Sequence, residues 1–150
     1  MKYFQVLEVK EFMNMLLTKE VFDDFLLVNA SVIGKGTLIL EGRTSDGEEI
    51  KYLPYEGFRN VLFEFIKGKV LPKNIKLVLQ LSFEDLKAAL GNSVGPEDTA
   101  SLTINFKEDG LFIASGFATG TFNLDRTNEI NWDKYATEYL NDLGLTIDVL

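Results

Sequence analysis

The sequence predicts an α+β fold in which two tandem β-α-β-β-β-α repeats share one antiparallel sheet, with helices on one face. Two observations carry this prediction. Apolar residues change between period 2 and the helical period of 3.6 in the same order in both halves. A shift of 74 positions also brings the turn glycines together without a gap, as when Gly36 falls on Gly110. We therefore expect a single domain, residues 1–150, built of pseudo-repeats 1–74 and 75–148.

In the first half, the pattern predicts a strand, a helix, a hairpin, a fourth strand and a closing helix. Gly34-Lys35-Gly36 separates two β-rich runs and is typical of a hairpin turn. Pro54 suits the first position of a helix. The expected elements are a strand over 3–8, a helix striped by Val9, Phe12, Met13, Leu16 and Leu17, strands over 25–33, 37–43 and 48–53, and a helix that starts at Pro54, is striped by Phe58, Val61, Leu62, Phe65 and Ile66, and ends at Gly68.

In the second half, the same order is predicted again. Ser82 with Asp85 forms a capping box, which starts a helix that Gly91 ends. Glu108-Asp109-Gly110 indicates the second hairpin turn. The expected elements are a strand over 75–81, the capped helix, a loop over 92–99, strands over 100–107, 111–118 and 121–124, and a helix striped by Trp132, Tyr135, Ala136, Tyr139 and Leu140.

If both hairpin turns contain three residues, one set of side chains faces the helices and the other forms an open face. The set predicted for the helix side is Ala30, Val32, Leu38, Leu40, Ile104, Phe106, Phe112 and Ala114. The set predicted for the open face is Asn29, Ser31, Ile39, Glu41, Arg43, Thr103, Asn105, Ile113, Ser115 and Phe117. A mixed, semi-apolar face of this kind often binds something, although a loop or a second subunit could also cover it.

Composition narrows the possible chemistry. The 150 residues are 46% apolar and 25% charged, as in ordinary globular domains. Cysteine and histidine are absent, so thiolate zinc sites and Ser–His or Cys–His catalytic pairs cannot form. A net charge of −8 disfavours general affinity for nucleic acid. The charged N-terminal segment and the lack of a long apolar run favour the cytoplasm without a membrane partner. We expect no cofactor and no metal site.

Two charged groups are candidate sites. Lys67, Lys69, Lys73 and Lys76 form a basic cluster that could hold an acidic partner or a phosphate, or could be a solvated linker. Glu41 and Arg43, both predicted on the open face, could anchor a polar ligand or form a structural ion pair. The paired carboxylates elsewhere could serve a metal ion or glycoside chemistry, but they fall mostly in predicted turns, where solvated residues are expected.

The order of elements resembles two known architectures. A repeated unit with a closing helix resembles the saddle of the TATA-box-binding protein, and its three-strand count resembles a domain of the DNA sliding clamps. Both resemblances imply nucleic-acid partners, which the charge opposes. In addition, Val9-Lys10-Glu11-Phe12 and the segment 66–72 resemble an uncharacterised bacterial family that has no assigned activity.

The sequence alone does not determine the function. It favours a non-enzymatic module for protein interaction or self-assembly, which would use the open face and bind a protein partner or a second copy. A nucleic-acid-binding or clamp-like module is the first alternative. A carboxylate-based enzyme or metal binder is the second.

Overall fold

The computed structural model describes residues 1–46 and 49–150. The predicted turn at 45–47 and the predicted strand start at Glu48 therefore extend outside the described residues. The elements are β1 (Tyr3–Val6), α1 (Val9–Thr18), β2 (Leu26–Ile33), β3 (Thr37–Glu41), β4 (Arg43–Asp46), β5 (Glu49–Tyr52), α2 (Glu56–Ile66), β6 (Asn74–Gln80), α3 (Phe83–Leu90), β7 (Thr99–Lys107), β8 (Gly110–Ala118), α4 (Thr127–Asn141) and β9 (Ile147–Val149).

The predicted fold class is confirmed, since the chain combines four described helices with one large antiparallel sheet. Seven strands form this sheet in the order β3-β2-β6-β7-β8-β1-β9, and every neighbouring pair is antiparallel. One hydrophobic cluster joins alternate side chains of these strands to the buried sides of all four helices. The helices therefore cover one face of the sheet.

Local signals set both ends of α3 as expected, whereas α2 begins at Glu56, two residues after Pro54. The amide of Asp85 donates a hydrogen bond of 3.2 Å to the Ser82 hydroxyl, which caps α3. Gly91 ends that helix with φ +94°, a conformation that favours glycine. Trp132 on α4 is fully buried, in agreement with its place in the helical stripe. Within the described residues, no helix has both the length and the apolar character needed to cross a membrane.

Element positions follow the 74-residue offset, whereas strand pairing does not. The shift carries β1, α1, β2, β3 and α2 onto β6, α3, β7, β8 and α4. However, β6 lies between β2 and β7, while β1 pairs with β8 and β9. A two-fold copy would give β1 and β6 equivalent neighbours. Duplication of one unit therefore remains a proposal.

The fourth strand predicted for each half is not part of the large sheet. In the first half, β5 pairs with β4 in a separate two-stranded hairpin and does not join the large sheet. In the second half, residues 121–124 form no strand, and Phe122 is 90% exposed. The last strand, β9, was not predicted, because three residues are too few to establish an alternating pattern.

The first hairpin has the predicted register and the second does not. Val32 pairs with Leu38 around a three-residue turn, as expected. In the second hairpin Lys107 pairs with Gly110, so only Glu108 and Asp109 lie between the strands. A one-residue change in register moves every side chain of the strand to the other face. The helix side of β8 therefore consists of Leu111, Ile113, Ser115 and Phe117, not Phe112 and Ala114 as predicted.

Candidate functional site: the open sheet face and its basic end

The face of the large sheet opposite the helices is continuous and carries both polar and apolar side chains. The residues on this face do not belong to the hydrophobic cluster that the helices cover, and each of them is exposed or half-buried. We call this surface the open face. It consists of Tyr3, Gln5, Asn29, Ser31, Ile39, Glu41, Lys76, Val78, Gln80, Ser101, Thr103, Asn105, Phe112 and Ala114.

Six of the ten residues predicted for this face lie on it, namely Asn29, Ser31, Ile39, Glu41, Thr103 and Asn105, and β6 lies between those of β2 and those of β7. The register aligns Asn29 with Val78 and Val78 with Thr103, while Glu41 lies beside Asn29. One step along the strands, Ser31 aligns with Lys76, which in turn aligns with Asn105. The row through Lys76 is therefore polar on the three strands β2, β6 and β7, and the row beside it is polar on four strands except at Val78.

Four residues predicted for this face lie elsewhere, and two of them, Ile113 and Ser115, are buried on the helix side of β8. Phe117 pairs with the fully buried Ala100 and packs against the core, because the short second turn shifts the register of β8. Arg43 belongs to β4, where it pairs with Tyr52, since the chain leaves the large sheet at Gly42. No ion pair joins Arg43 to Glu41 in the described part of the chain.

Sequence reasoning missed eight members of the open face: Tyr3, Gln5, Lys76, Val78, Gln80, Ser101, Phe112 and Ala114. Lys76 could have been found, because Ile75, Leu77 and Leu79 alternate with it and are buried. Phe112 and Ala114 could not, because their face depends on the length of one turn. Together with Tyr3 and Asn105 they line a depression of about 460 Å³, and the Lys107 ammonium group lies 5.7 Å from the Phe112 ring centroid.

One end of the sheet is basic. The Lys35 ammonium group reaches the Lys67 carbonyl oxygen at 3.4 Å, which places the segment after α2 against the first hairpin turn. Lys73 immediately precedes β6, and Lys107 is the last residue of β7 at the same end. We call Lys35, Lys67, Lys69, Lys73, Lys76 and Lys107 the basic end.

Six of the 15 basic residues of the chain thus lie at one border of the sheet, with Lys35 and Lys67 on its helix side, since the Lys35 ammonium group lies 5.3 Å from the Phe65 ring centroid of α2. Acidic residues are present at this border too, since Lys67 pairs with Glu64 at 2.8 Å, and Glu108 and Asp109 form the second turn. Both partners of the Lys67–Glu64 pair are about half exposed, so this pair contributes little stability and leaves Lys67 free to exchange partners. The predicted basic cluster is therefore larger than its sequence segment, because the fold adds Lys35 and Lys107.

The carboxyl groups whose pKa values are shifted do not lie on the open face. Their pKa values are lowered, which does not suit a general acid. Hydrogen bonds from Arg126 and the N-terminal ammonium group lower the pKa of Glu129 to about 2. A hydrogen bond from the Thr127 hydroxyl lowers the pKa of Asp125. A carboxylic acid that donates a proton near neutral pH needs a raised pKa. Among the described residues, no group of three acidic side chains is arranged to hold a metal ion.

Comparison with known proteins gives a family but no activity. Neither the curated proteins nor the solved structures provide a match to this chain. The likeness to the TATA-box-binding saddle or to a sliding-clamp domain therefore remains a prediction. The model of a family of unknown function, DUF5721, matches residues 15–148, which is most of the chain. Membership of that family does not determine what the protein does. The chain belongs to the DUF5721 family.

Proposed function

We propose that this chain is a non-enzymatic interaction module whose open face and basic end together bind an acidic surface of a partner protein in the cytoplasm. A single observation supports the proposal most strongly. A seven-stranded sheet carries all its helices on one side, and the side chains of the other face stay outside the hydrophobic cluster.

The size of this face suits a protein partner. Strands lie about 4.8 Å apart and rise about 3.3 Å per residue, so seven strands span about 29 Å and six residues span about 20 Å. The resulting area, on the order of 600 Å², approaches the roughly 800 Å² that each partner contributes to a standard protein interface.

The chemistry of the face indicates what the partner presents. Carboxylates would pair with the ammonium groups of the basic end, which attract an acidic surface and raise the association rate. One apolar or aromatic side chain would fill the depression between Tyr3 and Phe112, because apolar anchors in pockets contribute most binding energy. The polar rows around Lys76 would supply hydrogen bonds and fix the orientation.

A protein partner is favoured over a nucleic acid by the distribution of charge. The net charge is −8 although six lysines gather at one end, so acidic residues dominate the remaining surface. A phosphate backbone longer than the basic end would meet that acidic surface and be repelled. A short acidic segment of a protein would not. The clamp-like alternative is therefore an outcome that the following experiment can detect.

The test selects peptides from a random display library on the wild-type protein and measures the affinity of the enriched peptides by calorimetry. We expect the enriched peptides to be rich in Asp and Glu around one apolar residue. Lys76→Glu should weaken their binding about tenfold. The substitution removes an attractive ion pair worth roughly 0.2–1 kcal/mol and replaces it by a repulsion of similar size. Lys87→Glu, an identical change at an exposed position on α3, is the matched control and should leave binding unchanged.

Three results would contradict the proposal. The enriched peptides could carry no acidic bias, or Lys87→Glu could weaken their binding as much as Lys76→Glu does. Alternatively, single-stranded DNA could bind in a salt-dependent manner that Lys76→Glu abolishes while acidic peptides do not bind, which would make the open face a nucleic-acid site.

A further inference from the structure

The edge strand β3 lacks most of the features by which sheets usually avoid pairing with other chains. Its sequence, Thr-Leu-Ile-Leu-Glu, contains no lysine, no proline and no bulge, and its one charged residue, Glu41, is at its end and not in its centre. Ile39 in its centre is 67% exposed. The opposite edge is different, because β9 has only three residues and carries Asp148 in its centre. An open apolar edge is therefore a specific feature of β3.

The main-chain groups that β3 directs away from the sheet can be identified from its hydrogen bonds. The Gly34 amide donates to the Gly36 carbonyl oxygen at 2.9 Å, and the Gly42 amide donates to the Val28 carbonyl oxygen at 3.3 Å. Hydrogen-bonded pairs alternate with non-bonded pairs in an antiparallel ladder. Leu38 and Leu40 therefore bond to β2, whereas the N–H and C=O groups of Thr37, Ile39 and Glu41 point outwards.

The flank of this edge on the helix side is apolar as well. Phe58, Val61 and Phe65 follow each other along one side of α2, at positions i, i+3 and i+7. The Lys35 ammonium group lies 5.3 Å from the Phe65 ring centroid, which places that side of α2 by the first hairpin. Val61 is 46% exposed.

The other side of α2 faces α1 and the loop that follows it. Arg59, on that side, makes two hydrogen bonds with the Asp23 carboxylate, at 2.9 and 3.1 Å. The apolar row of Phe58, Val61 and Phe65 is therefore turned away from α1, towards the β3 edge.

We propose that two copies of this chain pair through β3 in an antiparallel, two-fold arrangement centred on Ile39, which joins their sheets into one. In this register Ile39 faces Ile39 of the second copy, and Thr37 faces Glu41. All the outward N–H and C=O groups of the three residues are then paired, with two hydrogen bonds for each facing pair. A register in which Glu41 of one copy faces Glu41 of the other would leave Thr37 unpaired and would place two negative charges opposite each other.

A second copy fits this edge better than an unrelated strand because the edge is complementary to itself. Across the two-fold axis, Leu38 faces Leu40 on the helix side, so both apolar layers continue without a polar interruption. A five-residue strand pair is small compared with the 1,200–2,000 Å² or so that stable dimers bury. The α2 flanks must supply the remaining contact, and we expect a dimer that dissociates in the micromolar range or above.

This inference goes beyond the proposed binding of acidic proteins, since it concerns the main-chain edge of β3, not the basic end or the depression, and a partner of another kind. It also has a consequence for that binding. Joining two sheets edge to edge places two open faces side by side, so a dimer would present a bivalent surface to a repeated acidic partner.

The first test follows hydrogen exchange of the individual amides by NMR at protein concentrations from about 10 µM to about 1 mM. The amides of Leu38 and Leu40 should be protected at every concentration. The amides of Thr37, Ile39 and Glu41 should exchange freely when dilute and become protected as the concentration rises. An exchange rate that does not change with concentration at these three residues would overturn the proposal.

The second test measures sedimentation of three lysine variants whose fold is first checked by circular dichroism. Ile39→Lys should weaken self-association at least about tenfold, because it removes a central apolar contact and opposes two charges. Val61→Lys, which alters only the α2 flank, should weaken it severalfold. Thr103→Lys on the open face is the matched control and should leave it unchanged.

The variants also separate the two proposals. A wild-type protein that stays monomeric, or a dimer lost with Thr103→Lys but retained with Val61→Lys, would show that the β3 edge is not the interface. Neither result would bear on the proposed binding of acidic peptides, which is tested separately with Lys76→Glu.

Discussion

Gly42 lies where the chain leaves the large sheet, and the structure predicts that even alanine cannot be accommodated there. A Cβ atom at this position would lie 1.9 Å from the Leu27 carbonyl oxygen and 2.9 Å from its carbonyl carbon. Both contacts are with backbone, which cannot rotate away as a side chain can. Gly42→Ala should therefore force the end of β3 away from β2.

The cost can be estimated from the hydrogen bonds around this point. Moving the Cβ atom to an ordinary contact distance of 3.4 Å requires a displacement of about 1.5 Å. Such a shift breaks the bonds from the Gly42 amide to Val28 (3.3 Å), from the Leu53 amide to Gly42 (2.8 Å) and from the Leu27 amide to Leu53 (2.9 Å). With about 1 kcal/mol for each bond and 1–3 kcal/mol of strain, we expect a destabilisation of roughly 4–6 kcal/mol.

Urea unfolding followed by circular dichroism measures this change, and two alanine substitutions serve as controls. Gly57→Ala lies at the start of α2 with nothing within 4 Å, so it should stabilise the protein by about 0.5–1 kcal/mol. Gly116→Ala, the counterpart of Gly42 at the 74-residue offset, meets only the Ser101 hydroxyl at 2.8 Å, which can rotate away. If Gly42→Ala costs less than about 1 kcal/mol, the close backbone approach is wrong.

Two further predictions concern buried tyrosines. Tyr55→Phe should lower the free energy of unfolding by about 1–2 kcal/mol, because the buried hydroxyl donates a hydrogen bond to the Leu16 carbonyl oxygen at 2.9 Å. Tyr3→Phe, at an exposed position, is the control and should have no effect. Equal effects of the two substitutions would refute this reason. Burial raises the pKa of Tyr139 to about 12 and raises that of Tyr55 as well, above the value of about 10 in an unfolded chain. The free energy of unfolding should therefore keep its full value below about pH 10 and fall as the pH rises towards 12, because these tyrosines ionise in that range only in the unfolded state. Urea midpoints that stay constant between about pH 9 and 11.5 would contradict this prediction.

Much of the architecture was accessible from the sequence because its signals are local. The stripe of Trp132, Ala136 and Leu140 predicted a buried face of α4, and all three residues are buried. The capping box at Ser82 set the start of α3. Each of these signals spans less than three helical turns, so it does not depend on what the element packs against.

The site was only partly accessible, because its composition depends on the length of one turn. Asn29 and Ser31 were placed correctly, since the three-residue turn of the first hairpin was correct. The second turn is one residue shorter, and this single difference packs Phe117 against the core and brings Phe112 to the open face. A two-residue turn and a three-residue turn are both compatible with the local sequence around Asp109-Gly110. The reason is that Gly110, which has a positive φ, can occur with either turn length.

By itself, the sequence determined the α+β class, the order and positions of nearly all elements, and the exclusion of chemistry that needs cysteine or histidine. These properties follow from composition and from the periodicity of short segments. Only the tertiary structure decided which strands are neighbours, that β3 is left as an open edge, and that Lys35 and Lys107 join the lysines after α2. These features depend on contacts between residues far apart in the chain, which no local period encodes.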